Sequence, residues 1–296
     1  MHVEAHTTAS KPRSVFDQVP APGLVLVGIA VVQVGAALAT KLFDHLGPGG
    51  TVLLRVLFAA IVLCAIWRPD PREHARPELR LAVLFGLTLA FMNLSFYEAI
   101  NRIHLGIAVT LEFVGPLGVA LAGSRTKLDL LWAALAACGV ILLGGIGTPD
   151  LVGVLLALTA GALWATYILL NARVGKAFEG GSGLAMAMAI GTLPLIPIGI
   201  VDAGSNLLHP NLLAVAFGVA MLSSVVPYSL ELEALRRIRP HVFGVLMSLE
   251  PAVAALAGLV LLGQSLSAVD VVAIVLVVTA SAGATRGARG PAPVDA

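Results

Sequence analysis

The sequence predicts an all-α membrane protein with ten transmembrane helices in two inverted five-helix repeats. Three observations predict it. Of the 296 residues, 58% are hydrophobic and only 12% are charged, whereas a soluble domain is about 45–50% apolar and about 25% charged. Ten apolar runs follow one another along the chain, each near the roughly 20 residues that a helix needs to cross about 30 Å of hydrocarbon. A stretch of the fourth run returns in the ninth, which makes the chain a duplication.

The runs lie at about 23–40, 50–67, 80–100, 105–123, 128–146, 151–170, 183–201, 211–230, 242–262 and 268–284. They are too long and too uniformly apolar for the alternating pattern of barrel strands, and a helix satisfies its own backbone in lipid. A polar leader precedes the first run. Its basic residues, the apolar stretch and Ala37-Leu38-Ala39 imitate a signal peptide, but acidic residues interrupt the leader and the repeat needs the first helix. GPGG at 47–50 and GGSG at 180–183 are expected as turns between helices, because neither ends in the Gly-Lys-Ser/Thr of a phosphate loop.

The net charge of +1 hides an asymmetry. With the N-terminus inside, the cytoplasmic segments hold Lys11, Arg13, Arg68, Arg72, Arg76, Arg80, Arg125, Lys127, Arg173, Lys176, Arg236, Arg237, Arg239, Arg286 and Arg289. The outer loops hold Lys41 and Arg102. Such a bias, sustained loop after loop, predicts ten crossings and cytoplasmic termini by the positive-inside rule.

The duplication is local and specific. GIAVTLE at 106–112 matches GVLMSLE at 244–250, and upstream EAINRI at 98–103 matches EALRRI at 233–238. Glu112 therefore has a twin in Glu250. The copies fall in runs three to four and eight to nine, so the repeating unit is five helices, and an odd number turns the second copy upside down. Inverted repeats of this kind build secondary transporters, with the site near the midplane. The expected organisation is a polar cytoplasmic leader 1–22, a first repeat 23–146, a second, inverted repeat 151–284 and a cytoplasmic tail 285–296, the repeats together forming one transport domain.

At this point the chain resembles the drug/metabolite transporter superfamily in its ten-helix EamA-type branch, most closely the bacterial inner-membrane threonine and homoserine exporters. The matching stretches are QVGAALAT from Gln33, LLRVLFA around Arg55, FMNLSFYEAI from Phe91, LGIAVTLEFVGPLGVAL from Leu105, GALWATYILL from Gly161, VPYSLELEAL from Val226 and FGVLMSLEPAVAAL from Phe243. LGIAVTLEFVGP together with LMSLEPA marks the subgroup; either alone points only to the superfamily. The resemblance implies an exporter of small amino acids or related metabolites.

The polar residues inside the runs are the candidate site. A charged side chain at the bilayer centre costs about 2.5–3.5 kcal/mol on insertion scales, so Glu112 and Glu250 need a reason. One reading makes them carriers of the coupling proton or ligands of the substrate; the other makes them neutral, hydrogen-bonded locks between helices. Pro116 and Pro251 stand beside them and each removes an amide, freeing the carbonyls of Glu112 and Met247. Arg55, nearer the outer side, suits a substrate carboxylate, or else an ion pair with Glu98 or a snorkelling head group. Asn93 and Tyr97 share one face at i and i+4. Gln33, Trp164, Tyr167, Ser248 and Tyr228 complete the set. Cys64 and Cys138 read as small buried hydrophobes, and the seven histidines show no metal-ligand spacing.

No Walker motif, catalytic constellation or cofactor signature stands out, so the expectation is a non-enzymatic secondary exporter in the inner membrane, driven by proton antiport. Its partners are a small-molecule substrate, protons and the lipid bilayer, with no nucleic acid; a homodimer is left open. The alternatives are an exporter of amphiphilic drugs or other metabolites, and a non-transporting membrane scaffold or enzyme.

Overall fold

The computed structural model describes residues 19–122, 127–145, 150–235, 237–238 and 240–287. Lys11, Arg13, Arg125, Arg236, Arg239 and Arg289 of the charge census lie outside them. Every regular element among the described residues is helical. The first four are α1 (Ala21–Thr40), α2 (Phe43–Trp67), α3 (Arg76–Ile100) and α4 (Leu105–Glu112). They are followed by α5 (Val114–Ala122), α6 (Lys127–Gly145), α7 (Leu151–Ala177) and α8 (Ser182–Ala203). Then come α9 (Pro210–Ala220), α10 (Val226–Leu235), α11 (Pro240–Met247), α12 (Glu250–Leu262) and α13 (Ala268–Gly287).

Local chemistry sets the ends. Pro77 lies in the first turn of α3, and Glu78 accepts the Ala75 amide at 2.9 Å, which supplies an N-terminal cap. Asp150 caps α7 by accepting from Val152 and Gly153 at 2.8 and 3.1 Å. Those two amides, Gly153 foremost, together with Arg102, hold its carboxyl below the usual aspartate range. Gly263, at φ +66°, closes α12, after which the Gln264 amide returns to the Gly258 carbonyl.

Among the described residues, seven helical segments are long and apolar enough to cross a membrane, and three shorter apolar stretches, Leu105–Val119, Leu130–Leu142 and Ala268–Ala284, stand at the fourth, fifth and tenth expected runs. Exposed side chains such as Leu84, Ile141, Leu193 and Val260 make the outer faces apolar, as lipid contact requires.

Two expectations are corrected. The turn expected over GPGG shrinks to one residue: Gly47, at φ +64°, alone leaves helical geometry, between a short helical piece and the helix that starts at Pro48. Proline lacks the amide that a first turn leaves unbonded anyway, so Pro48 starts a helix here and does not end one. Cys138 is exposed rather than buried, and Cys64 is intermediate; on an apolar outer face, lipid replaces protein as the neighbour of a small hydrophobe.

The helices interleave. α2 packs along α8, α3 along α7 and α8, α6 along α13 and α4 across α12, while α1 lies against α10 and α12. At one end of the bundle, four hydrogen bonds tie the chain before residue 146 to the chain from residue 150 onward. Gly49 N donates to Asp202 Oδ2 at 2.9 Å and Asn206 Nδ2 to the His45 carbonyl at 2.8 Å. Arg102 Nη1 donates to Asp150 Oδ2 at 3.4 Å, and Leu105 N to Gln264 Oε1 at 3.0 Å.

Candidate functional site

Both copies of the repeated motif sit where a helix breaks. α4 ends at Glu112, and Phe113 separates it from α5; Pro116 cannot bond back to the Glu112 carbonyl. α11 ends at Met247, and α12 begins at Glu250 with Pro251 in its first turn. The two carboxyl groups therefore occupy opposite helix ends: Glu112 closes a segment, whereas Glu250 opens one, at the positive end of its dipole. α7 passes close to the first break. A Cβ on Gly161 would lie 2.6 Å from the Glu112 carbonyl oxygen, and one on Gly115 would collide with the Gly161 backbone, so this crossing requires glycine on both sides.

Glu112 and Glu250 retain only 9% and 8% of their surface and bear electrostatically on each other, with Arg55 acting on Glu112 as well. Gln33 of α1 donates through Nε2 to Glu250 Oε1 at 3.1 Å. Arg55 of α2 is held from the other side: its Nε donates to Ser224 Oγ at 3.2 Å, and its Nη2 to the Ser223 carbonyl at 2.8 Å. Its guanidinium lies 5.2 Å from the centre of the Tyr97 ring, within cation–π range.

Ser223 and Ser224 reach Arg55 because the chain from Met221 to Val225 is a π turn. There the Val226 amide bonds to the Met221 carbonyl five residues back. This wider turn interrupts the ordinary ladder between α9 and α10, a feature frequent at functional sites.

Four buried polar atoms of this region have no hydrogen-bond partner among the described residues: Gln33 Oε1, Glu250 Oε2, Tyr97 OH and Ser223 Oγ. Buried polar atoms are nearly always paired, so orphans gathered around two carboxyls and a guanidinium mark the place as unusual.

The remaining sequence-derived residues divide. Tyr228 of α10 interacts electrostatically with Arg55, Glu112 and Glu250 and belongs to the cluster. The ring of Tyr167 stacks on Phe85 with centroids 5.1 Å apart. Trp164 meets Phe113, at the α4–α5 break, edge to face at 5.4 Å. Asn93 and Tyr97 are both buried, yet Asn93 Nδ2 donates to the Leu89 carbonyl of its own helix at 2.7 Å, and only Tyr97 meets Arg55. Ser248 is buried and donates back to the Val245 carbonyl at 2.5 Å. Neither an ion pair with Glu98 nor snorkelling describes Arg55. It is 6% exposed and bonded to the serines, while Glu98 lies in the field of Asp202 and Arg102.

Sequence reasoning missed Glu231, Ser223 and Ser224. Glu231 of α10 acts electrostatically on Glu250, Tyr228 and Tyr167. The test that singled out Glu112, a carboxylate within an apolar helix, would have found it, had the eighth run not been ended at residue 230. The serines carried no comparable signal, since hydroxyls are common in membrane helices and the π turn is invisible in composition. An open groove of about 700 Å³ between α5 and α7 has Val119, Leu158 and Leu169 in its lining and none of these polar residues.

The profile of the EamA-like transporter family matches residues 151–286. The threonine/homoserine exporters RhtA of Salmonella typhimurium (strain LT2) and Escherichia coli (strain K12) are each 42% identical over 271 residues, 90% of this chain and 91% of theirs. An uncharacterized transporter of Archaeoglobus fulgidus is 27% identical over 224 residues, 69% of this chain and 76% of its own. A crystal structure of a protein 18% identical to this chain superposes with a TM-score of 0.61, covering 90% of this chain and 99% of that one; at that identity the likeness speaks for the fold alone.

Proposed function

From the premise that the chain belongs to the EamA-like transporter family, we propose that it is a secondary exporter of small amino acids of the threonine and homoserine kind. It works in the inner membrane and carries out no chemical reaction on its cargo. The kind of substrate is carried over from the RhtA relatives; what supports it in this chain is a buried site that holds both signs of charge. Within an apolar bundle the buried Glu112 lies in the field of both the Glu250 carboxylate and the Arg55 guanidinium, which suits a cargo that is itself a zwitterion.

Ten crossings in two inverted repeats, with both termini cytoplasmic, are part of the reading. Their support is the charge census together with the way contacts come in matching sets. α3 against α7 is answered by α1 against α9 and α10, and α4 and α5 against α7 by α11 and α12 against α1. Exchanging the halves carries these contacts onto one another, as a pseudo-twofold axis requires.

Proton antiport is the proposed energy source. Glu112 and Glu250 lie within electrostatic reach of each other, so protonating either changes the field at its twin and at a substrate between them. Opening the cavity to one side and then the other lets a proton enter from outside while the amino acid leaves. The test is uptake of radiolabelled threonine into proteoliposomes with and without an imposed pH gradient, alongside a panel of other amino acids and amphiphilic cations. Gradient-stimulated threonine transport is expected; transport of the cations alone would replace this reading with drug export.

A further inference from the structure

The cluster has two chemically distinct ends, and the orphaned atoms sort between them. At the first, Gln33 donates to Glu250 Oε1 at 3.1 Å. With Glu250 ionised, as an ammonium beside it keeps it, its oxygens only accept, so the Gln33 NH₂ meets Glu250 and the amide carbonyl oxygen points elsewhere. That oxygen, Gln33 Oε1, and the second carboxylate oxygen, Glu250 Oε2, are buried acceptors with no partner among the described residues. At the other end the orphans are hydroxyls, Tyr97 OH and Ser223 Oγ, beside Arg55, two of whose five N–H donors are used by Ser223 and Ser224. The ends share neighbours. Glu112 and Tyr228 each lie in the field of Glu250 at one end and of Arg55 at the other.

We infer that the Gln33–Glu250 pair is an ammonium subsite, in which Gln33 orients the carboxylate and offers its own carbonyl as a second acceptor, opposite a carboxylate subsite at Arg55, Tyr97 and Ser223. The inference rests on the amino-acid reading above and deepens it. Two convergent acceptors, one of them anionic, match the N–H donors of a primary ammonium, and a hydrogen bond between charged groups is the stronger kind. A carboxylate meant only to lock two helices would have both oxygens bonded. Glu250 has one oxygen fixed and the other left open, and the residue that fixes it contributes an open acceptor of its own. The division also separates the twins: Glu250, bound by Gln33 at the head of α12, is the binding carboxylate. Glu112, without a described counterpart to Gln33, is left for coupling.

The experiment is competition against radiolabelled threonine exchange by the reconstituted full-length protein. The competitors are threonine, the acid in which the amine of threonine is replaced by hydroxyl, and threoninamide, in which the carboxylate is blocked. Wild type is expected to prefer threonine over the hydroxy acid by at least about tenfold, since a site built for N–H donors rejects an analogue lacking them. Gln33→Leu should cut that preference about tenfold while leaving the preference for threonine over threoninamide unchanged. Equal competition by threonine and the hydroxy acid in wild type overturns the inference, as does a Gln33→Leu variant whose preferences all fall together, which is the mark of a packing role. Where Gln33→Leu fails to reconstitute, the wild-type competition decides alone. Absence of any amino-acid exchange by folded wild type instead overturns the amino-acid reading itself.

Discussion

Gln33 and Glu250 are 217 positions apart and joined by one buried hydrogen bond of 3.1 Å. The bond links the first helix to a break in the second half of the chain, and it gives one of the twin carboxylates a partner. The two glutamates, alike in sequence, should therefore respond differently to the same substitution.

Glu112→Gln should abolish stimulation by a pH gradient while retaining threonine-for-threonine exchange, because the amide cannot cycle a proton. Glu250→Gln should raise the apparent KM about tenfold or more, because the ammonium loses its anionic acceptor. Paired measurements of driven uptake and exchange in proteoliposomes check both; normal gradient-stimulated rates in both variants would reduce the carboxylates to helix locks.

Arg55→Lys should weaken threonine transport by roughly tenfold and leave threoninamide uptake little changed, since a compact ammonium cannot reproduce the planar fork that grips a carboxylate. The comparison of the two substrates is the readout. Equal losses would mean that Arg55 serves only to hold the π turn through Ser223 and Ser224.

Gly161→Ala should lower the melting temperature of the detergent-solubilised protein, because its methyl has no room against the Glu112 carbonyl; overpacking of this kind costs about 1–3 kcal/mol. Gly118→Ala meets nothing within 4 Å and should be neutral or slightly stabilising, by up to about 1 kcal/mol of helix propensity.

Single cysteines placed in a background lacking Cys64 and Cys138 should report the topology. Those near Arg72, Lys176 and Arg237 should react with an impermeant thiol reagent only from the cytoplasm, and those near His45, Asp150 and His209 only from outside. Labelling near Arg237 from outside would put both repeat copies in one orientation.

Asp150 supplies a pH test. Its carboxyl titrates lower in the folded protein than in the unfolded chain, so its stabilising effect is complete above the unfolded value of about 3.9 and fades as pH falls through the folded one. The gap in melting temperature between wild type and Asp150→Ala should be present at neutral pH and close in strong acid.

Most of the helices were legible because twenty apolar residues can do little else in lipid, and Glu112 and Glu250 because an intramembrane charge is conspicuous. What was not legible depended on backbone geometry. Pro48 reads as a helix breaker, but with Gly47 at φ +64° it becomes a helix starter. Nothing in LSSVVPY announces a π turn, so the partners of Arg55 had to come from the fold. The Asn93 and Tyr97 pair was sound as a shared helix face, but periodicity cannot tell whether an amide turns outward or bonds its own helix four residues back.

The four hydrogen bonds at one end of the bundle, from Gly49, Asn206, Arg102 and Leu105 to partners across the halves, act as a latch on the proposed rocking motion. None of the four survives a parting of the halves there, so together they favour the closed arrangement at that end. On the proposed mechanism an empty carrier so biased rests shut at that end, and the resting leak of solutes through the membrane is then set less by the polar centre than by how seldom Asp202 lets go of Gly49.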